Sequence, residues 1–536
     1  MTRESNKRKL TDIDKQDRVN KLSSPSHCLP HYLYRCAIIC ILVFVGPGCR
    51  PAHRNVPANY LVVGIEANPA QLDPRYATDA NAVRIGNLIY NSLLRTDEKL
   101  RLQPELAASW RLIDAQTFQF DLRTDIRFHN GRPLTAVDVK YTFESILDSA
   151  NRSPKRALLK QLQSVELDGS HRLRFHLNSP HAPFIEHFTL GIVPAGSAPD
   201  SRPPLGSGPF VLEAIESGEH VILKKNPDYW DSKPALSGVV FKIVPDAMVR
   251  ALEFKQGAVD FMQNDLEPDM LPWLRHLAGT QVTAHQGTTF QYLGINLTHP
   301  ILKHVKVRQA LAHAIDRERI IHHLLKDTAL AANGLISPLN DAYEDNIPAW
   351  NYNPARAKQL LDEAGFGDPD GDGPITRFRI SYKTTNVDLR RRIAEALKEQ
   401  LLQVGIELEI RSYEWGTFFS DVKKGNFHLY SLAWVGIRDP DIQYHLFHSA
   451  SVPPNGDNRG RYANSQVDRL LDQARITMDA SERKRIYGAA QRLIAQDLPY
   501  VPLWWQKNVV AKKTNLQGFV PYPDGDLISL KQVSLR

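Results

Sequence analysis

Cysteine is almost missing from this chain. Of 536 residues only Cys28, Cys36, Cys40 and Cys49 are cysteines, and all four lie in the first 49 positions. The rest of the chain therefore has no disulfide, no cysteine-ligated metal and no thiol nucleophile. Long apolar runs are scarce as well. Residues 37–45 (AIICILVFV) form a continuous apolar stretch, too short to span a bilayer as a stable helix. Familiar catalytic patterns are missing: there is no G-x-S-x-G elbow, no H-E-x-x-H and no G-x-x-x-x-G-K-[S/T]. The tetrapeptide starting at Ser420 and ending at Lys423 reads S-x-x-K, but its companion S-D-N and K-T-G motifs are lacking. An enzyme is not expected. A surplus of one charge is missing too. The net charge is +7, and residues 1–48 hold eight Lys/Arg against four Asp/Glu, which leaves +3 on the remainder. So small an excess on so long a body argues against nucleic acid or another polyanion as partner.

The start of the chain has the order of an export signal. Basic residues lead to Arg35, the apolar stretch 37–45 follows, and Gly46-Pro47-Gly48-Cys49 comes next. Three fates stay open: lipidation at Cys49, simple cleavage with release, and an uncleaved anchor. Residues 1–49 are read as this leader.

The body is too long for one core, so two or three domains are expected. Its composition, 42% apolar and 23% charged, is that of a globular protein. Residues 59–66 (NYLVVGIE) read as a first strand and residues 79–94 as a helix. In residues 117–147, Phe118, Phe120 and Leu122 alternate with polar neighbours, which predicts a strand. Asn130-Gly131 and Pro133 supply turn chemistry. Thr135 with Asp138 predicts a capping box, and Val139, Phe143, Ile146 and Leu147 share one helical face. A hairpin is predicted within 165–177, turning at Asp168-Gly169. Strands follow from Gly206-Ser207-Gly208-Pro209, where the glycines are read as tight-turn residues with positive φ. Further strands are expected at 290–297, 406–410 and 500–505, with helices from Val307, over 357–365 and over 394–404. Alternating helices and strands predict an α/β protein.

The block FHNGRPLTAVDVKYTFE within 117–147 resembles the signature of the extracytoplasmic solute-binding proteins of oligopeptide and dipeptide ABC transporters. The segment G-S-G-P-F at 206–210, N-P-D-Y-W at 226–230 and the helix V-R-Q-A-L-A-H-A-I-D-R at 307–317 match the same family. The resemblance spans roughly residues 59–525. It implies a two-lobed fold of the type II periplasmic-binding-protein class, with mixed or mostly parallel sheets and a hinged cleft. Lobe I would comprise 58–290 and 508–536, including a subdomain near 95–204, and lobe II would comprise 291–507. It further implies a monomer without cofactor, periplasmic or lipid-anchored to the outer face of the cell membrane. Such a monomer would deliver an oligopeptide or peptide-like solute to a permease and ATPase complex. The same fold binding a nickel chelate, an opine or an oligosaccharide, or serving as a sensor or chaperone, is the alternative.

The resemblance also nominates a site. Trp415 and Trp434 correspond to tryptophans that flank the ligand, and Val435, Gly436, Ile437, Arg438 and Asp439 follow the second. Asn68, in the loop after the first strand, joins them. A tryptophan gives a wide flat wall that buries varied side chains at little entropic cost. In peptide binders of the family the second tryptophan starts W-x-x-D-Y, whose Asp pairs with the ligand ammonium. Here Ile437, or Gly436 if the register slips by one, holds that place, so Asp439 or Asp441 would have to substitute, the ligand would have a blocked or buried amino terminus, or the ligand would not be a peptide. Arg438 would suit an anionic group. Two weaker constellations remain. Asp368, Asp370, Asp372 and Gly373 have Ca²⁺-loop spacing, though Arg379 stands where the bidentate Glu belongs, so a surface turn is favoured. His445 and His448, three apart, have a spacing at which imidazoles can share a metal, but such a pair is more often structural and no metal site is expected. His322-His323 reads as helix surface.

Overall fold

A computed structural model describes residues 56–198, 204–371 and 373–536. The leader, with Cys49, lies outside the described residues, as does Asp372. Among the described residues no helix is long and apolar enough to cross a membrane.

The body is organised on an eleven-stranded sheet. From edge to edge its main path runs Ile406–Tyr413, Phe378–Thr385, Leu429–Trp434, Thr280–Ile295, Tyr500–Lys513, Phe261–Gln263, Tyr60–Ile65, Gly238–Ile243, His220–Lys225 and Phe210–Glu216. The sheet is mixed. Tyr60–Ile65 runs parallel to both its neighbours, as does Phe378–Thr385, while the central strands pair antiparallel. Leu61, Val62 and Val63 are almost fully buried, as expected of a parallel strand covered on both faces.

Two long strands carry the sheet through its middle. Thr280–Ile295 pairs antiparallel with Tyr500–Lys513 from Thr280↔Lys513 to Gly294↔Tyr500, with irregularities between Gln286 and Thr289 and between Gln291 and Tyr292. Both strands are longer than their apolar segments at 290–297 and 500–505 suggest. The added half at 280–289 is mostly polar and is held chiefly by backbone pairing, whereas the half at 506–513 also buries Val509, Val510 and Ala511 and pairs with Phe261–Gln263. At the first bulge a Cβ on Gly287 would lie 2.5 Å from the Gln506 carbonyl oxygen, so only glycine fits there. The bulge also separates two sets of core residues. Val282, Val509 and Ala511 pack with Val62 and Phe254. Phe290 and Trp505 pack with Tyr430, Leu446 and Tyr487.

A separate four-stranded antiparallel sheet runs Ala107–Asp114, Thr117–Leu122, Arg172–Leu177, Leu162–Leu167. Phe118, Phe120 and Phe175 point from it into a cluster with Phe143, Phe184 and Phe188. The helix Ala136–Leu147 is held at its start by Asp138, fully buried, whose carboxylate accepts from the Thr135 backbone N at 2.9 Å and the Ala195 N at 2.8 Å. The G-S-G-P glycines differ from the sequence reading. Neither Gly206 nor Gly208 has positive φ. They are glycine because a Cβ would meet the Ile89 oxygen at 2.0 Å and the Leu88 oxygen at 2.6 Å, at the end of helix Ala80–Ile89. Arg308 and Arg317 of the 307–317 segment are buried, and their guanidinium groups donate to backbone carbonyls, Asp497 and Leu302 for one, Ala332 and Trp350 for the other. These motif residues build the scaffold.

Candidate functional site

A cavity of about 870 Å³ lies where the end of strand Leu429–Trp434 meets helix Ala80–Ile89 and the short 3₁₀ helix Ala182–Thr189. Phe184 and Phe188 fix that short helix. Both are fully buried, with Phe188 edge-on to Phe120 at 4.6 Å and to Phe175 at 4.7 Å. Glu186 and His187 then fall on the cavity wall.

Trp434, Val435, Gly436, Ile437, Arg438 and Asp439 all line the cavity. Trp434 ends its strand paired with Phe290, and the Arg459 guanidinium stacks 4.8 Å over its ring. Gly436 takes φ +63° and turns the chain away from the sheet. Arg438 reaches Thr96 Oγ1 at 3.4 Å and Asp524 at 3.8 Å, and its carbonyl accepts from Asn340. Trp415 and Asn68 stand apart from this lining. Trp415 opens helix Trp415–Lys424, is 48% exposed and stacks on Phe419 at 5.3 Å. The Arg390 guanidinium lies 5.9 Å from the centre of its ring. The Asn68 amide donates to the Pro69 carbonyl.

The two acids nominated as substitutes are already engaged. One Arg483 nitrogen spans both Asp439 oxygens at 2.8 and 3.0 Å. Asp441 meets Arg475 at 3.0 Å and accepts from the Tyr487 hydroxyl at 3.0 Å. Burial lifts the Asp441 carboxyl to about 6, against the pull of Arg475. Among the described residues Glu186 is different, with no hydrogen bond or ion pair to its carboxylate. Burial, and then the Asp439 charge, push it up to about 7, while Arg438 and Arg483 act the other way. Burial lowers His181 to about 3 and His187 to about 4, so both rings are neutral at pH 7. His445 lines the cavity beside Asp441 at 3.7 Å, whereas His448 turns to Asp472 at 3.4 Å and stacks on Tyr444. The pair does not converge. The described carboxylates of the acidic turn are engaged: Asp368 accepts from Gly371 N at 2.9 Å and lies 3.7 Å from Arg377, and Asp370 accepts from Ile375 N at 2.8 Å.

The model of the bacterial extracellular solute-binding proteins, family 5 (middle region) matches residues 101–454. The chain belongs to this family. Among family 5 relatives, the oligopeptide-binding protein AppA of Bacillus subtilis is 29% identical over 496 residues, covering 88% of this chain and 91% of that protein. The solved structure of the same AppA with a nonapeptide superposes with TM-score 0.75, covering 89% of this chain and 98% of that one. The periplasmic binding protein DppA of Helicobacter pylori, solved with peptide STSA, is 27% identical with TM-score 0.74, over 89% of this chain and 98% of that one. The α/β architecture with its mixed sheet is the family 5 fold, and the sequence resemblance identified the family correctly.

Sequence reasoning missed the other wall. Glu186, His187 and Lys155 come from segments about 250 residues before Trp434, and no local pattern marks them. The one usable signal was the Phe184/Phe188 spacing, which buries one side of a short helix and leaves its other side to face something else.

Proposed function

We propose that this protein is the solute-capturing component of an ABC importer and that it holds a short peptide or peptide-like molecule in the cavity bounded by Trp434 and Glu186. The observation that carries this reading is the cavity itself. Its volume falls within the roughly 300–1,000 Å³ of small-ligand sites, and it pairs an aromatic wall with a few charged groups. An extended peptide would gain backbone hydrogen bonds and leave its side chains to a tolerant apolar wall. The names of the curated relatives, oligopeptide-, dipeptide- and tripeptide-binding proteins, support a peptide, while solved structures of the same fold also hold Ni(L-His) and agropinic acid.

In this reading residues 58–290 with 508–536 form one lobe and 291–507 the other. The change of core partners at the Gly287 bulge supports a hinge there, about which the lobes close on ligand. The leader exports the chain, which works as a monomer outside the cytoplasmic membrane, either released or lipid-anchored through Cys49. It carries out no catalysis and hands its ligand to a permease driven by an ATPase.

Thermal melts of the purified protein with short peptides test the proposal. A ligand at a hundredfold its dissociation constant adds about 2.7 kcal/mol of stability. A rise in Tm with peptides is expected. No rise with any peptide, but one with a nickel chelate or a sugar, overturns the peptide reading.

A further inference from the structure

Among the charges around the cavity, the exposed Lys160 and the partly buried Glu186 have no partner for their charged groups among the described residues. Asp439 is neutralised by Arg483, and Asp441 by Arg475. Arg438 lies 3.8 Å from Asp524. Lys155 donates to the Pro74 carbonyl at 2.7 Å. Glu186 alone among the described cavity acids has no donor. Glu186 is partly buried, and taking a carboxylate even in part out of water without a partner is unfavourable. The protein nevertheless places it on a wall of the cavity, on a helix pinned by two buried phenylalanines, with its neighbour His187 held neutral by burial.

We propose that Glu186 anchors the cationic group of the ligand, a primary ammonium such as a peptide amino terminus, inside the cavity it shares with Trp434 and Arg438. The inference rests on that cavity being the ligand site. An ammonium offers three donors to the two carboxylate oxygens and cancels the charge that folding leaves on the cavity wall. Competing cations are committed. Arg483 spans both oxygens of Asp439, and Arg475 is fixed between Asp441 and the Tyr444 ring, 3.7 Å beneath it. The remaining groups facing Glu186 are Asp439 and Asp524 of like sign and Arg438 of opposite sign. Arg438 is directed to Asp524 and Thr96 and makes no hydrogen bond or ion pair to Glu186.

The test uses tripeptides and pentapeptides, each with a free and an N-acetylated amino terminus, against the wild type, Glu186→Gln and Glu186→Asp. Calorimetric affinities and melts are read for every combination. The expected result has three parts. The wild type binds free-amine peptides at least tenfold more tightly than acetylated ones. Glu186→Gln loses that preference and keeps its affinity for acetylated peptides. Glu186→Asp retains part of the preference. Persistence of the full preference in Glu186→Gln overturns the anchor, as does equal binding of both peptide forms by the wild type. In either case peptide capture itself stands. No binding of any peptide by the wild type overturns the peptide reading, and the anchor with it.

Discussion

Asp439→Asn, Arg483→Gln and the double variant form a cycle that isolates one ion pair at the edge of the cavity. The Arg483 nitrogen lies 2.8 and 3.0 Å from the two Asp439 oxygens. At an effective dielectric near 20, a charge separation of about 3 Å corresponds to about 5 kcal/mol of attraction. Desolvation opposes it, and the side chains keep 15% and 18% of their exposure, so water screens part of the remainder. Exposed pairs couple by about 0.2–1 kcal/mol, while breaking a fully buried pair costs about 3–5. This pair lies between, so a coupling energy of about 2 kcal/mol is expected. Arg483 also packs over the Tyr487 ring at 5.2 Å, and the cycle cancels that loss because it occurs in both branches. Urea unfolding at pH 7 measures all four proteins. Each single variant should be destabilised, and the double variant should cost less than their sum. A coupling below about 0.5 kcal/mol refutes the structural role. So does a fall in free-amine peptide affinity for Asp439→Asn at unchanged stability, which would make Asp439 the ligand anchor.

Trp434→Ala should weaken peptide binding by about tenfold or more, as for a buried aromatic contact, while Trp415→Ala leaves calorimetric affinity unchanged. Burial, with the Asp439 charge, raises the folded-state Glu186 carboxyl from 4.5 to about 7, with Asp524 adding to the rise and Arg438 and Arg483 opposing it. A raised acid contributes stability that is complete below pH 4.5 and is lost as pH climbs through 7. Ligand-free Glu186→Gln should therefore match the wild type in melts near pH 4 and exceed its stability at pH 8, by up to about 3 kcal/mol; equal stability at both pH values counts against an unpaired carboxylate. Gly287→Ala brings a Cβ to 2.5 Å from the Gln506 oxygen. It should cost about 1–3 kcal/mol in urea unfolding through forced backbone movement, and an unchanged midpoint would show that the bulge is slack.

Several elements were legible because they rest on local physics. Asp79 and Asn353 cap the helices that begin at Ala80 and Pro354 through their own side-chain oxygens. The Gly131 turn, at φ +83°, needs a residue without Cβ. Gly206 and Gly208 were misread because their constraint is the nearby end of helix Ala80–Ile89, more than a hundred residues earlier in the chain. The strand halves at 280–289 and 506–513 were missed for a related reason. Many of their hydrogen bonds go to each other across about 220 residues, the first half is mostly polar, and in the second only the short run Val509–Ala511 is apolar.

The sequence by itself determined the family, the α/β class and one wall of the cavity. Those rest on contiguous residues: a capped helix, a glycine turn, and Trp434 with the five residues after it. Only the tertiary structure decided the opposite wall and the charge balance. Which acid is free is a property of pairing. Arg483 and Arg475 reach Asp439 and Asp441 from 34 or more positions away, and Glu186 is left alone because folding brings no cation within bonding distance of it. Distance in space sets that outcome, and spacing along the chain does not encode it.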